Sequence, residues 1–173
     1  MSIREKDLYE RVRAALEASF AAIGKKAVCE TGATKGLGEK MKALIPPGND
    51  IVFRFLNRRP DIVGYVEKEE WTNTLFIAEV KHGSLTIQAI YQAKMYKELL
   101  GATFGFLISM QPIAEELKRL LRRIPIILGS AGDHTFHFLA LGRFDLESGT
   151  FADWFANRWQ EGDPFNHLKS LAF

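Results

Sequence analysis

Three short apolar runs follow one another in the middle of the chain: IVFRFL at 51–56, DIVGYVE at 61–67 and TLFIAEVK at 74–81. Each has strand length and strand residues, and only short polar stretches join them. That spacing predicts an antiparallel meander, since a hairpin connection closes in a few residues. Pro60 opens the second run, where a missing N–H costs little. A helical pattern precedes the meander over residues 4–23, with Leu8, Val12, Leu16, Phe20 and Ile23 on one face and Gly24 as its stop. Residues 25–50, rich in Gly and Lys and ending in Pro46-Pro47-Gly48-Asn49-Asp50, read as mostly loop.

After the meander the pattern predicts a helix over 85–101, a strand over 103–109, a helix over 112–124 and a strand over 134–142. A short aromatic helix is predicted over 151–159. The order is helix, three strands, helix, strand, helix, strand: an α/β fold around a central sheet. With 173 residues and neither repeat nor linker, one domain spanning 1–173 is expected. Hydrophobic residues at 47% and charged residues at 25% are ordinary for a globular chain and argue against extensive disorder. No apolar run approaches the roughly 20 residues of a membrane helix. The start, MSIREKDLYERV, lacks a signal-peptide apolar segment, and Cys29 is the lone cysteine. These features give the expectation of a cytoplasmic protein.

The stretch TGATKGLG at 31–38 suggests a dinucleotide loop, and with it a remote NAD(P)-dependent oxidoreductase reading. Its context argues otherwise. A long helix lies upstream, the following EKMKALI is short for a crossover helix, and Asp50 precedes a strand where a ribose-binding acid should end one. The four tyrosines are followed four places on by Arg13, Glu69, Met95 and Leu100, so no Tyr-x-x-x-Lys pair is present.

Chemistry gathers at another place. On a strand, residues i and i+2 share a face, so Glu79 and Lys81 project together while Val80 turns away. Antiparallel pairing of the second and third runs can bring Asp61 beside them. Two carboxylates and an ammonium suit phosphodiester hydrolysis with Mg²⁺ or Mn²⁺. A hard cation takes carboxylate oxygens at about 2.0–2.1 Å, and a lysine can orient water and offset charge on phosphorus. The Val80 carbonyl is a plausible further ligand.

Pro60-Asp61, Glu79-x-Lys81 and the element order resemble the PD-(D/E)xK nuclease superfamily, which includes restriction endonucleases, archaeal Holliday-junction resolvases and RecB-type nuclease domains. Gln92-x-x-x-Tyr96 looks like the helix motif of the RecB-like branch. The resemblance covers about residues 4–109 and implies a restriction-endonuclease-like core. Residues 110–173 would add a C-terminal helix, strand and short helix. It implies Asp61 and Glu79 as metal ligands with the Val80 carbonyl, Lys81 as the water-orienting group, and Gln92 and Tyr96 as support. Many members add an acid from the first helix; at about 100° per residue Glu5 falls on the inward side, with Glu10 the runner-up.

The expected partner is DNA, branched and single-stranded forms included, held at its phosphates by Lys25, Lys26, Lys35, Arg58 and Arg59. A homodimer would serve cutting of two strands, and no membrane is expected. A net charge of +2 does not itself announce nucleic acid. The rival is a nonenzymatic nucleic-acid-binding or assembly module on the same scaffold. His82 reads as an edge-of-strand polar residue. His134 and His137 face opposite sides of a strand, and Trp154, Phe155 and Trp159 read as packing or dimer-forming residues.

Overall fold

A computed structural model describes residues 4–32, 37–49, 59–67, 73–129, 138–156 and 162–170. Its centre is a six-stranded sheet whose strands lie side by side in chain order: β1 (Ala27–Thr31), β2 (Ile62–Val66), β3 (Thr74–Lys81), β4 (Phe104–Ser109), β5 (Phe138–Asp145) and β6 (Thr150–Phe155). Pairing is antiparallel from β1 through β3, parallel from β3 through β5, and antiparallel again to β6. The helices are α1 (Glu5–Ala22), α2 (Glu39–Leu44), α3 (Ile87–Leu99), α4 (Glu115–Arg123) and α5 (Pro164–Ser170). Parallel neighbours need a crossover, and α3 and α4 occupy those places between β3 and β4 and between β4 and β5.

Both faces of the sheet are covered, which is why β2 and β4 read as continuous apolar runs instead of alternating ones. On β3 the alternation still sorts side chains by core. Leu75 and Ile77 join Val63, Tyr65 and the inner face of α3. Phe76, Ala78 and Val80 join α1 and α5 on the opposite face.

That second core is strongly aromatic. Phe76 and Phe138 stack on either side of Phe104 at 5.4 and 5.7 Å between ring centres, and Phe20 of α1 lies 5.1 Å from Phe76. Each such buried ring contributes roughly 2–3 kcal/mol. The first helix is held to the edge of the sheet by a polar clamp as well: Glu17 Oε1 accepts from the Cys29 amide at 2.9 Å. No helix among the described residues is long and apolar enough to cross a membrane.

Three elements depart from the expected pattern. The segment read as loop over 25–50 contains β1 and α2, so the meander opens at 27–31. The run at 51–56, expected as its first strand, lies outside the described residues. The aromatic stretch expected as a helix over 151–159 is strand β6 up to Phe155. It forms a hairpin with β5 through a turn in which Asp145 Oδ1 accepts from the amides of Glu147 and Ser148, and Gly149 takes φ 69°. Phe151, Trp154 and Phe155 have helical spacing because a bulge interrupts the strand. The register with β5 shifts between Leu141 and Arg143, and Asp153 adopts φ 51°. One extra residue resets the alternation and lets Phe151 and Trp154 share a face. The Asp153 carboxylate accepts from Lys118 Nζ at 2.8 Å, which holds the bulge.

One glycine in β2 is required by close packing. A Cβ on Gly64 would overlap the outer end of the Phe76 ring, which occupies the space over the strand backbone there. Gly64→Ala is expected to lower unfolding free energy by about 2–3 kcal/mol in chemical denaturation, within the usual cost of overpacking. Adding Phe76→Leu to it should recover part of that loss, and a double variant no more stable than Gly64→Ala would contradict the contact.

Candidate functional site

Chain entry into β2 sets the first carboxylate. Buried Pro60 leads into Asp61, and the register Ile62↔Ala78, taken one step further, puts Asp61 across from Glu79. Residues directly opposite on antiparallel strands share a face. Glu79 and Asp61 therefore sit on the α3 side of the sheet, at its end, with 3% and 7% of their surfaces exposed. Asp61 Oδ2 is fixed by the Val80 amide, which donates to it at 2.8 Å.

From Glu79 a chain of side-chain hydrogen bonds runs into α3. Lys81 Nζ donates to Glu79 Oε1 at 2.9 Å and to Gln92 Oε1 at 3.1 Å, and Gln92 Nε2 donates to the Tyr96 hydroxyl at 3.4 Å. Spacing i, i+2 on the strand and i, i+4 on the helix brings these four side chains together. Thr86 starts the helix in the right place by accepting from the Ala89 amide. Burial raises the Tyr96 hydroxyl above its ordinary value.

Electrostatically the site is poised. Burial, followed by the charge of Asp61, pushes Glu79 up to about 7, and the Lys81 bond opposes that rise. Glu79 Oε2 is buried and has no hydrogen-bond partner among the described residues. A buried carboxylate oxygen without a donor is costly unless a cation meets it. Both carboxylates are hard oxygen donors, so the pair suits a divalent ion such as Mg²⁺ or Mn²⁺. Among the described residues no group of three or more His, Cys, Asp and Glu side chains is gathered for a metal. Asp61 and Glu79 are the acidic side chains of the site among the described residues.

Other expected residues are distributed more widely. Glu5 opens α1, and its side chain lies outside what is described. Glu10 is ion-paired with Arg13 at 2.8 Å and accepts from the Thr31 hydroxyl at 3.3 Å. Val80 sends its side chain into the aromatic core while its amide serves Asp61. Arg59 is exposed immediately before Pro60-Asp61. Lys25 and Lys26 precede Ala27, which pairs with Val66, so both lie at the opposite end of β1 from Asp61. Five strand residues make that separation about 17 Å. Lys26 is paired there with Glu67 at 2.8 Å. Lys35, Arg58, His134, His137 and Trp159 lie outside the described residues. Trp154 packs against Phe106 and Phe151.

The glycine-rich stretch has a structural use that its motif did not reveal. β1 does deliver the chain to Gly32, but it runs antiparallel to β2, unlike the parallel first strand of a dinucleotide-binding fold. The Gly32 amide donates to the Asp61 carbonyl at 3.0 Å, and a Cβ there would stand 2.7 Å from the Pro60 carbonyl oxygen. The Gly38 amide donates to Glu30 Oε2 at 2.6 Å, where a Cβ would press on the movable end of that side chain. Thus Gly32 and the strand acid Glu30, both absent from the expected site, hold the two ends of this loop beside the residue that carries the first carboxylate.

No family model matches the chain, and no curated protein matches it.

The rise in the Glu79 pKa fixes a pH dependence. An unfolded glutamate titrates near about 4.3, so between there and about 7 the folded chain binds the extra proton. Stability without divalent ion therefore falls as pH rises through that window. Glu79→Gln, which does not ionise, should stabilise the ion-free protein by about 1–3 kcal/mol at pH 8, and the gain should fade toward pH 4. Denaturation curves at several pH values measure this; a gain of the same size at all of them would contradict the buried, raised carboxyl.

Proposed function

We propose that this chain is a metal-dependent nuclease of the PD-(D/E)xK type with a restriction-endonuclease-like core, hydrolysing phosphodiester bonds of DNA. One observation carries the reading: Asp61 and Glu79 face each other across buried antiparallel strands, with Lys81 on one oxygen of Glu79 and the other oxygen unpaired among the described residues. The order helix, strand, short helix, two strands, helix, strand supports it, with β1 to β3 antiparallel and β4 parallel to β3, as does Gln92-x-x-x-Tyr96 joined to Lys81. A cytoplasmic location and, for cutting two strands, a homodimer belong to the same reading.

In this mechanism Asp61, Glu79 and the Val80 carbonyl would hold Mg²⁺ or Mn²⁺. The Val80 amide points at Asp61, and in a strand the carbonyl of the same residue points to the same edge. A divalent ion there supplies positive charge beside the phosphoryl oxygens undergoing attack. Lys81 has three donor hydrogens; Glu79 and Gln92 take two, leaving one for a water or a phosphate oxygen. Gln92, steadied by Tyr96, aims that ammonium. Glu79, through its bond to Lys81, would hold that ammonium close to phosphorus. Arg59, exposed next to the carboxylates, meets a neighbouring backbone phosphate with a salt-sensitive contact.

Labelled DNA incubated with the purified protein and Mg²⁺ should be cut, and EDTA should stop the reaction. Asp61→Asn and Lys81→Met should each slow cutting at least about 100-fold, the size of losing one preorganised electrostatic group. Both variants should still bind DNA in Ca²⁺. Cleavage unchanged in either variant would refute the assignment. DNA binding without metal-dependent cutting by the unaltered protein would instead mark a nonenzymatic binding or assembly module.

A further inference from the structure

Beside the carboxylate pair a cavity of about 700 Å³ opens along the first turns of α3. Lys81 and Gln92 belong both to it and to the hydrogen-bonded chain from Glu79. Whatever is covalently joined to a phosphate at Lys81 therefore passes into or over this hollow.

Its walls are firmly built. The turn after β3 is pinned by fully buried Ser109, whose hydroxyl donates to the Gly83 carbonyl at 2.9 Å and accepts from the Gln111 amide at 2.8 Å. Ala89, Met95 and Tyr96 contribute apolar lining, and Gln88 adds an amide able to hydrogen-bond. No acidic side chain among the described residues lines it. Along the outer face of α3, Gln88, Tyr91 and Met95 fall at i, i+3 and i+7, one continuous stripe. Tyr91 is 53% exposed and Met95, which lines the hollow, 37%, so the stripe presents ring and thioether surface to solvent beside it.

Resting on the nuclease reading above, we propose that this hollow and the Tyr91 stripe receive the unpaired bases of single-stranded DNA next to the phosphate that is cut. The volume lies within the roughly 300–1,000 Å³ of sites that enclose small ligands. It is open to solvent and has room for a nucleotide or two. Duplex bases are buried in their own stack and present no ring face to Tyr91, whereas an unpaired base stacks on an exposed aromatic whatever its sequence. The preferred substrates are accordingly single strands, flaps and frayed ends, with little sequence preference.

The test uses the full chain, a fluorescent 15-nucleotide single strand and the matching blunt duplex. Affinities are read by anisotropy in Ca²⁺ and cutting rates in Mg²⁺. Single strand should be bound and cut at least tenfold better than duplex. Tyr91→Ala, at an exposed position where the fold loses little, should weaken single-strand affinity about tenfold, as loss of one stacked base does, and leave duplex affinity unchanged. Tyr91→Phe should restore it. Equal cutting of the two DNAs, or single-strand affinity unaltered in Tyr91→Ala, would overturn this inference and leave the nuclease reading standing. Failure to cut either DNA would overturn both.

Discussion

Two carboxylates held across from each other in a buried antiparallel register form the constraint on which the rest of this molecule depends. Asp61 and Glu79 are neighbours because Ile62 pairs with Ala78, and that pairing follows from the side-chain alternation of β3. A slip of one residue would turn Glu79 and Lys81 toward α1 and carry Val80 out of its core. The site thus has the precision of the sheet itself. Its cost is a repulsive, poorly solvated pair, visible in the raised titration of Glu79.

That cost is offset elsewhere. Two separate apolar cores clamp the sheet from both faces, and the aromatic one makes β3 a rigid support from beneath. The close fit of Phe76 over Gly64 ties β2 to β3 three residues along from the carboxylates, on the opposite face. Gly32 fixes Asp61 from the outer strand, and α3 supplies Gln92 and Tyr96 from the other direction. Substitutions in these supports should disturb the acidic pair without touching it, because buried strands transmit small displacements.

Much of this arrangement was legible from residue order. The period of a strand put Glu79 and Lys81 on one face, and the period of a helix put Gln92 and Tyr96 on another, so their meeting needed only the β3–α3 connection. β1 was hidden because five residues, AVCET, sit among glycines and lysines whose local signal is that of a loop. β6 was hidden by its bulge, since an inserted residue turns strand alternation into the i, i+3, i+4 spacing of a helix. The glycine-rich stretch resembled a phosphate loop for a reason invisible in sequence: Gly32 and Gly38 make room for a neighbouring carbonyl and for Glu30. That Lys25 and Lys26 lie at the far end of β1 from Asp61 is likewise absent from residue order, since the pairing direction of β1 and β2 sets it.

The central claim is that Asp61 and Glu79 together make a seat for one divalent cation, whatever the substrate. Calorimetric titration of Mn²⁺ into the ion-free protein at pH 8, where Glu79 is ionised, tests it without DNA. The account predicts saturable binding near one ion per chain, lost in Asp61→Asn and weakened as pH falls through about 7. Equal binding by the unaltered chain and Asp61→Asn would contradict it, as would no binding by either.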